Sequence, residues 1–201
     1  METLNCPNCS GSIEGISPHI RSVDCSYCGS WLRFNNQLWE AKEGQSVALN
    51  APSFLFVGKS GTLKNDHVHK VVGRIRLKYD YDSWDEWWVE DGYGNGFWLE
   101  EDDGVYYRHI NQEQIEIDDS SVGVGETLTL KNGLSLFVTE KFKASIVGRE
   151  GFLPTEPVTN ETILYIDGVS NGIEYSLEID GSKASLSQAE VFDVNAINWE
   201  T

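Results

Sequence analysis

From Phe54 to the C-terminus, apolar residues come in short runs rich in aromatic and β-branched side chains, and Gly, Asn and Asp bound each run. No long stretch repeats with the 3.6-residue spacing of a helix, so this pattern predicts a mostly antiparallel β protein. Asn65-Asp66, Asn132-Gly133, Asp103-Gly104 and Asp180-Gly181 supply the residues that tolerate φ > 0 in tight hairpin turns. Ahead of this region, Trp31-Leu32-Arg33-Phe34 reads as the last strand of a small N-terminal unit. The polar stretch that follows, with a few isolated apolar residues, reads as a linker. The expected organisation is residues 1–38, a linker at 39–51, a first β unit at 52–118 and a second at 119–201.

The two β units share landmarks. Gly58-Lys59-Ser60-Gly61-Thr62-Leu63-Lys64-Asn65 aligns with Gly125-Glu126-Thr127-Leu128-Thr129-Leu130-Lys131-Asn132 at an offset of 67 residues. Asp91-Gly92-Tyr93-Gly94-Asn95-Gly96 aligns with Asp167-Gly168-Val169-Ser170-Asn171-Gly172 at an offset of 76, leaving 76 − 67 = 9 extra residues near Pro154 and Pro157. Both units end in a polar segment, 111–115 and 187–191, that reads as the start of a short helical turn, the second with the Ser-x-x-Glu pattern of a helix cap. The fold expected is a duplicated antiparallel module of about five strands per unit, built as two similar partly open barrels or packed sheets.

All four cysteines lie in the first unit, as Cys6-Pro7-Asn8-Cys9 and Cys25-Ser26-Tyr27-Cys28. The C-x2-C-x15-C-x2-C spacing is that of a zinc ribbon, because two thiolates two residues apart on a tight knuckle can face one ion and two knuckles complete a tetrahedron. Four thiolates leave no open position, so the zinc expected here is structural. A core this small needs the metal for most of its folding free energy.

Charge narrows the partners. The chain of 201 residues carries 15 Lys and Arg against 32 Asp and Glu, a net charge of −17, yet is 40% hydrophobic and 11% aromatic. That is a folded acidic protein, and its charge opposes non-specific binding to nucleic acid or anionic lipid. The N-terminus has no basic start followed by an apolar run, and no stretch is apolar enough for a membrane span, so a cytoplasmic protein without membrane insertion is expected. Residues 80–120 hold 14 acidic side chains against the single Arg108, while Lys64, Lys70, Arg74, Arg76 and Lys78 cluster just before them. Cross-strand pairing of these tracts is expected, with acid to spare.

The most distinctive segment runs Trp84-Asp85-Glu86-Trp87-Trp88-Val89-Glu90-Asp91-Gly92, then Phe97-Trp98-Leu99-Glu100. With Val72-Gly73-Arg74 ahead of it, this W-D-E-W…W-L pattern resembles the bacterial domain of unknown function (DUF) 4178 family over roughly residues 55 to 195. The resemblance implies no activity and no site residues. In a strand, Trp84, Glu86 and Trp88 share one face, and Asp85, Trp87 and Val89 the other. One face is expected in the core. The other is expected to form an aromatic and acidic surface, drawn from Trp84, Asp85, Glu86, Trp87, Trp88 and Trp98, for a protein partner, with the surplus acid suited to a basic one.

The function expected is therefore a non-enzymatic zinc-ribbon adaptor in a bacterial protein assembly. A hydrolase or carbohydrate-active protein using the Trp, Asp and Glu strip is the alternative, and an acidic mimic of nucleic acid a second one. Other motifs carry little. Gly58-Lys59-Ser60 lacks the earlier glycine and following helix of a phosphate loop, and His67 with His69 lacks a third metal ligand. Adjacent Asp85 and Glu86 point to opposite faces and cannot flank one bond.

Overall fold

The structure, a computed structural model, describes residues 2–45, 49, 52–63, 67–80, 82–93, 95–117, 121–158, 160–181 and 183–200. The expected Asn65-Asp66 turn, Lys64, Gly94 and the boundary at 118–120 lie outside them. The short apolar runs form β-strands throughout, with one 3-10 turn at Val194–Ala196. Asp103-Gly104 and Asn171-Gly172 close two-residue hairpins with both φ values positive, the twist-matched geometry of type I′ turns.

At the N-terminus, β1 (Glu2–Asn5) pairs with β2 (Ser12–Ile16), and β3 (Ser22–Asp24) with β4 (Ser30–Asn35). β5 (Leu38–Gln45) extends the second sheet by pairing with β4, so the first part of the stretch expected as a linker is a strand. Then follow β6 (Ser60–Leu63), β7 (Val68–Tyr79), β8 (Asp82–Asp91), β9 (Gly96–Asp102) and β10 (Val105–Ile115), each antiparallel to the next. The second half repeats that order of pairings with β11 (Thr127–Thr129), β12 (Ser135–Leu153), β13 (Thr162–Ser170), β14 (Ile173–Asp180) and β15 (Lys183–Val191). A last strand, β16 (Ile197–Trp199), pairs with β6.

β10 pairs with β15 and β7 with β12, which closes eight strands into one barrel. Two similar partly open barrels or packed sheets were expected. A four-strand half has two unpaired edges, and each half satisfies those of the other, so the shared barrel leaves neither half open. The same closure makes strands of segments 111–115 and 187–191, where short helical turns were expected. Their backbone groups are needed across the β10–β15 seam, where Arg108 faces Glu190 and Gln114 faces Ser185.

The landmark at offset 67 has a matching geometry. The Gly58 N–H donates to Val71 O at 2.7 Å and the Gly125 N–H to Val138 O at 2.9 Å. The Val71 and Val138 N–H groups donate back to Lys59 O and Glu126 O, and a β-bulge follows each valine. The landmark at offset 76 has none: Asp91-Gly92 starts the β8–β9 turn, whereas Asp167-Gly168 lies inside β13. The extra residues of the second half lengthen β12, which leaves the barrel to pair with β3 through Phe152 and Leu153.

Three apolar clusters hold this arrangement. One fills part of the barrel interior with Ile75, Leu77, Trp84, Trp88, Ile146 and Tyr165, and continues into Ile13, Ile16, Ile20, Val23 and Leu32 of the N-terminal unit. The other two lie outside the barrel wall. Trp87, Val89 and Leu99 are covered by Leu55, Phe192, Val194 and Trp199. Ile166, Leu177 and Leu186 are covered by Leu128, Leu130 and Val122. Strand β8 is therefore apolar on both faces, which produces its near-continuous run of large residues.

Candidate functional site

The N-terminal unit brings its four cysteines together from two loops, β1–β2 and β3–β4. In each loop the first cysteine's carbonyl accepts from the residue four positions on, Ser10 or Gly29, and both of those have positive φ. The first cysteine's N–H donates one residue further, to Gly11 O or Ser30 O. The four sulfurs lie within 4.8 Å of one another and can hold a metal ion. The Ser30 hydroxyl and backbone N–H hold the Cys28 thiol down at about 6.

This unit is locked to the barrel by polar contacts as well as by shared core. Glu90 of β8, 6% exposed, accepts from Ser17 Oγ at 2.6 Å, His19 Nε2 at 2.8 Å and Trp88 Nε1 at 3.0 Å. The Arg149 guanidinium of β12 lies 3.9 Å over the Trp31 ring, with Asp24 beside it. Arg33 pairs with Glu156 in the β12–β13 connection.

The residues expected to present a partner surface are mostly interior. Trp84, Trp87, Trp88 and Asp85 are all buried, at 5%, 0%, 8% and 5% exposure, while Glu86 and Trp98 are half-buried against the barrel interior. The expected exposed face is missing because covering segments bury the outside of β8 as fully as the barrel buries its inside. Asp85 and Glu86 do point opposite ways. Asp85 faces outward and binds Arg74 through both oxygens at 2.8 Å and Arg76 at 2.7 Å, the expected pairing of the basic and acidic tracts. Arg74 also stacks over Trp87 at 4.6 Å.

Glu86 faces inward, and with it the structure reveals a site that the sequence reading missed. The lumen holds two adjoining lobes, of about 590 Å3 and 370 Å3, which share His109 and Tyr165. Glu86 and Glu100 face each other across β8–β9, and Glu178 enters from β14. Glu86 and Glu178 are half-buried, and both line the larger lobe. Glu86 has only long contacts, 3.4 Å from both Trp84 Nε1 and Tyr165 OH, and Glu178 makes no hydrogen bond or ion pair with the described residues. His109 is committed to Glu100 at 3.0 Å and lies 2.8 Å from Ser187 Oγ.

Burial, then the charge of Glu178, pushes Glu86 up to about 8, and burial also raises Glu178. Burial alone would lower His109, but the hydrogen bond and charge of Glu100 carry it up to about 9. Burial lifts Asp167, in the smaller lobe, to about 6. The sequence signal that marks these groups is an acid set among large apolar residues: Glu86 between Trp84 and Trp88 on one face of its strand, Glu178 between Leu177 and Ile179 along the chain.

No protein-family profile, characterised protein or solved structure matches this chain.

Proposed function

We propose that the chain is a binding protein that takes a small molecule into its barrel lumen, and that a zinc-loaded N-terminal ribbon closes one end of that barrel. The observation that carries this reading is Glu178, a half-buried carboxyl lining a 590 Å3 lobe without a hydrogen bond or ion pair among the described residues. Lobes of roughly 300–1,000 Å3 with a few convergent polar groups are typical of ligand sites. A carboxyl that the protein leaves without hydrogen bonds is free to take a donor from a ligand.

Zinc fits the cysteines. Tetrahedral zinc with Zn–S of about 2.3 Å has sulfurs about 3.8 Å apart. The Cys6–Cys28 and Cys9–Cys25 separations are both 3.8 Å. Duplication belongs to the same proposal, supported by the paired hydrogen bonds of Gly58 and Gly125 and the bulges after Val71 and Val138.

A thermal-shift screen of amines, carboxylates, sugars and neutral aromatics tests the lumen. Ser185 faces Glu178 across β14–β15, so Ser185→Phe places a ring in the larger lobe, and Ser185→Leu serves if the first variant folds poorly. At least one class is expected to raise the Tm of the unmodified protein and not of the blocked variant. If no class does so, the reading fails.

A further inference from the structure

Resting on the lumen reading, we propose that the ligand is a linear aliphatic polyamine, with its ammonium groups against Glu86 and Glu178 in the larger lobe and Asp167 in the smaller, and its methylene chain between them. The sign of the charge comes from the count of lumen groups. Glu86, Glu100 and Glu178 surround one imidazole, and that imidazole is held by Glu100. The cations at the mouth are engaged elsewhere: Arg33 with Glu156, Arg21 with the Pro18 and Ile20 carbonyls. Lys183, by the β14–β15 turn, stands there with Asp180. The smaller lobe is lined by Asp102, Asp167, Glu140 and Glu174, with no Lys or Arg among its lining residues. Asp167 Oδ1 is buried there without a hydrogen bond.

The spacing of those acids favours several linked charges over one ion. Among the described residues only the four cysteines bring three or more ligand atoms together closely enough for a metal. The lumen carboxyls are spread over both lobes, so one small cation cannot satisfy them, whereas ammonium groups spaced along a chain can. The walls suit such a chain. Ile75, Leu77, Ile146 and Ile163 line the larger lobe. The smaller carries Tyr79, Trp84, Phe142 and Tyr165, whose ring faces attract organic cations. An anion meets the carboxylates of the smaller lobe without a Lys or Arg beside them, and an apolar guest leaves Glu178 without a partner.

Calorimetric titration with spermidine, 1,4-diaminobutane, butylamine and magnesium chloride tests the proposal. At pH 8.5 and 0.15 M salt, spermidine is expected to bind one to one, at least tenfold more tightly than butylamine. Magnesium is expected not to compete. Glu178→Gln should weaken spermidine at least tenfold, and Ser185→Phe, which leaves the net charge unchanged, should abolish binding. Binding should weaken toward pH 6 with proton release, because the amine selects ionised carboxylates; Glu100, His109 and Tyr165 are the titratable groups that face Glu86 and Glu178. Spermidine binding that survives both substitutions is attraction to the acidic surface and overturns the proposal. If no amine binds while another class in the screen enters the lumen, the amine assignment fails and the lumen reading stands. If nothing enters, both fail.

Discussion

Glu86 holds its position at a cost that depends on pH. Its usual carboxyl value is 4.5 and the folded chain lifts it to about 8, so between those values the native state binds more protons than the unfolded chain. Stability then falls as pH rises through that window. Asp167 acts the same way between 3.8 and about 6. For His109 the stabilisation is complete below 6.5 and is lost as pH rises through about 9. All three slopes have one sign. Urea unfolding without added ligand should give a lower midpoint at pH 8.5 than at pH 6.5, and Glu86→Gln should flatten much of that difference. A midpoint that rises with pH would show that these groups are solvated rather than enclosed.

Two seams join the halves, β10–β15 and β7–β12, and the second is the tighter because glycines meet across it. Gly73 faces Gly151 across it. A Cβ on Gly73 would stand 2.2 Å from Phe152 O, and one on Gly151 2.2 Å from Val72 O, both backbone atoms that cannot yield without opening the seam. Gly172 has positive φ in the β13–β14 turn but open space around it. Gly73→Ala is therefore expected to destabilise by about 2 kcal/mol or more through overpacking. Gly172→Ala should cost only the left-handed backbone penalty, about 1 kcal/mol. Equal costs in denaturant titrations would contradict the close approach. Strand β8 gives a second contrast: Trp87→Ala, at a fully buried position, should cost about 3–5 kcal/mol through the cavity it leaves.

At the scale of the molecule, the N-terminal unit and the barrel share a core and polar contacts at Glu90, Arg149 and Arg33, so the cysteine cluster and the lumen end are mechanically joined. Chelation, or Cys25→Ser, should unfold the ribbon knuckles and uncover Trp88 and Trp98. Expected readouts are a red shift in tryptophan emission and a lower Tm. Loss of metal with emission and Tm both unchanged would mean that the barrel end does not depend on the ribbon. The same linkage predicts that a lumen ligand raises the Tm of the whole chain, by mass action on the native state.

The features legible in the sequence are those whose physics is local. Two cysteines flanking two residues define a knuckle, steps such as Asp103-Gly104 and Asn132-Gly133 mark turns where they interrupt apolar runs, and runs of aromatic and β-branched residues define strands, all within a few residues of chain. The Arg74, Arg76 and Asp85 cluster was legible for the same reason, since a hairpin brings neighbouring tracts together. What tertiary structure decided was everything that depends on segments far apart. Tyr107 meets Val191 at the barrel seam. The covering of β8's outer face comes from Leu55 on one side and Trp199 on the other, so alternation along the strand could not tell core from surface. The lumen cluster draws Glu86, Glu100, His109, Asp167 and Glu178 from five different strands. Each reads locally as one more acidic or polar residue in an acidic chain, and only barrel closure turns them inward, where burial gives them a common chemistry.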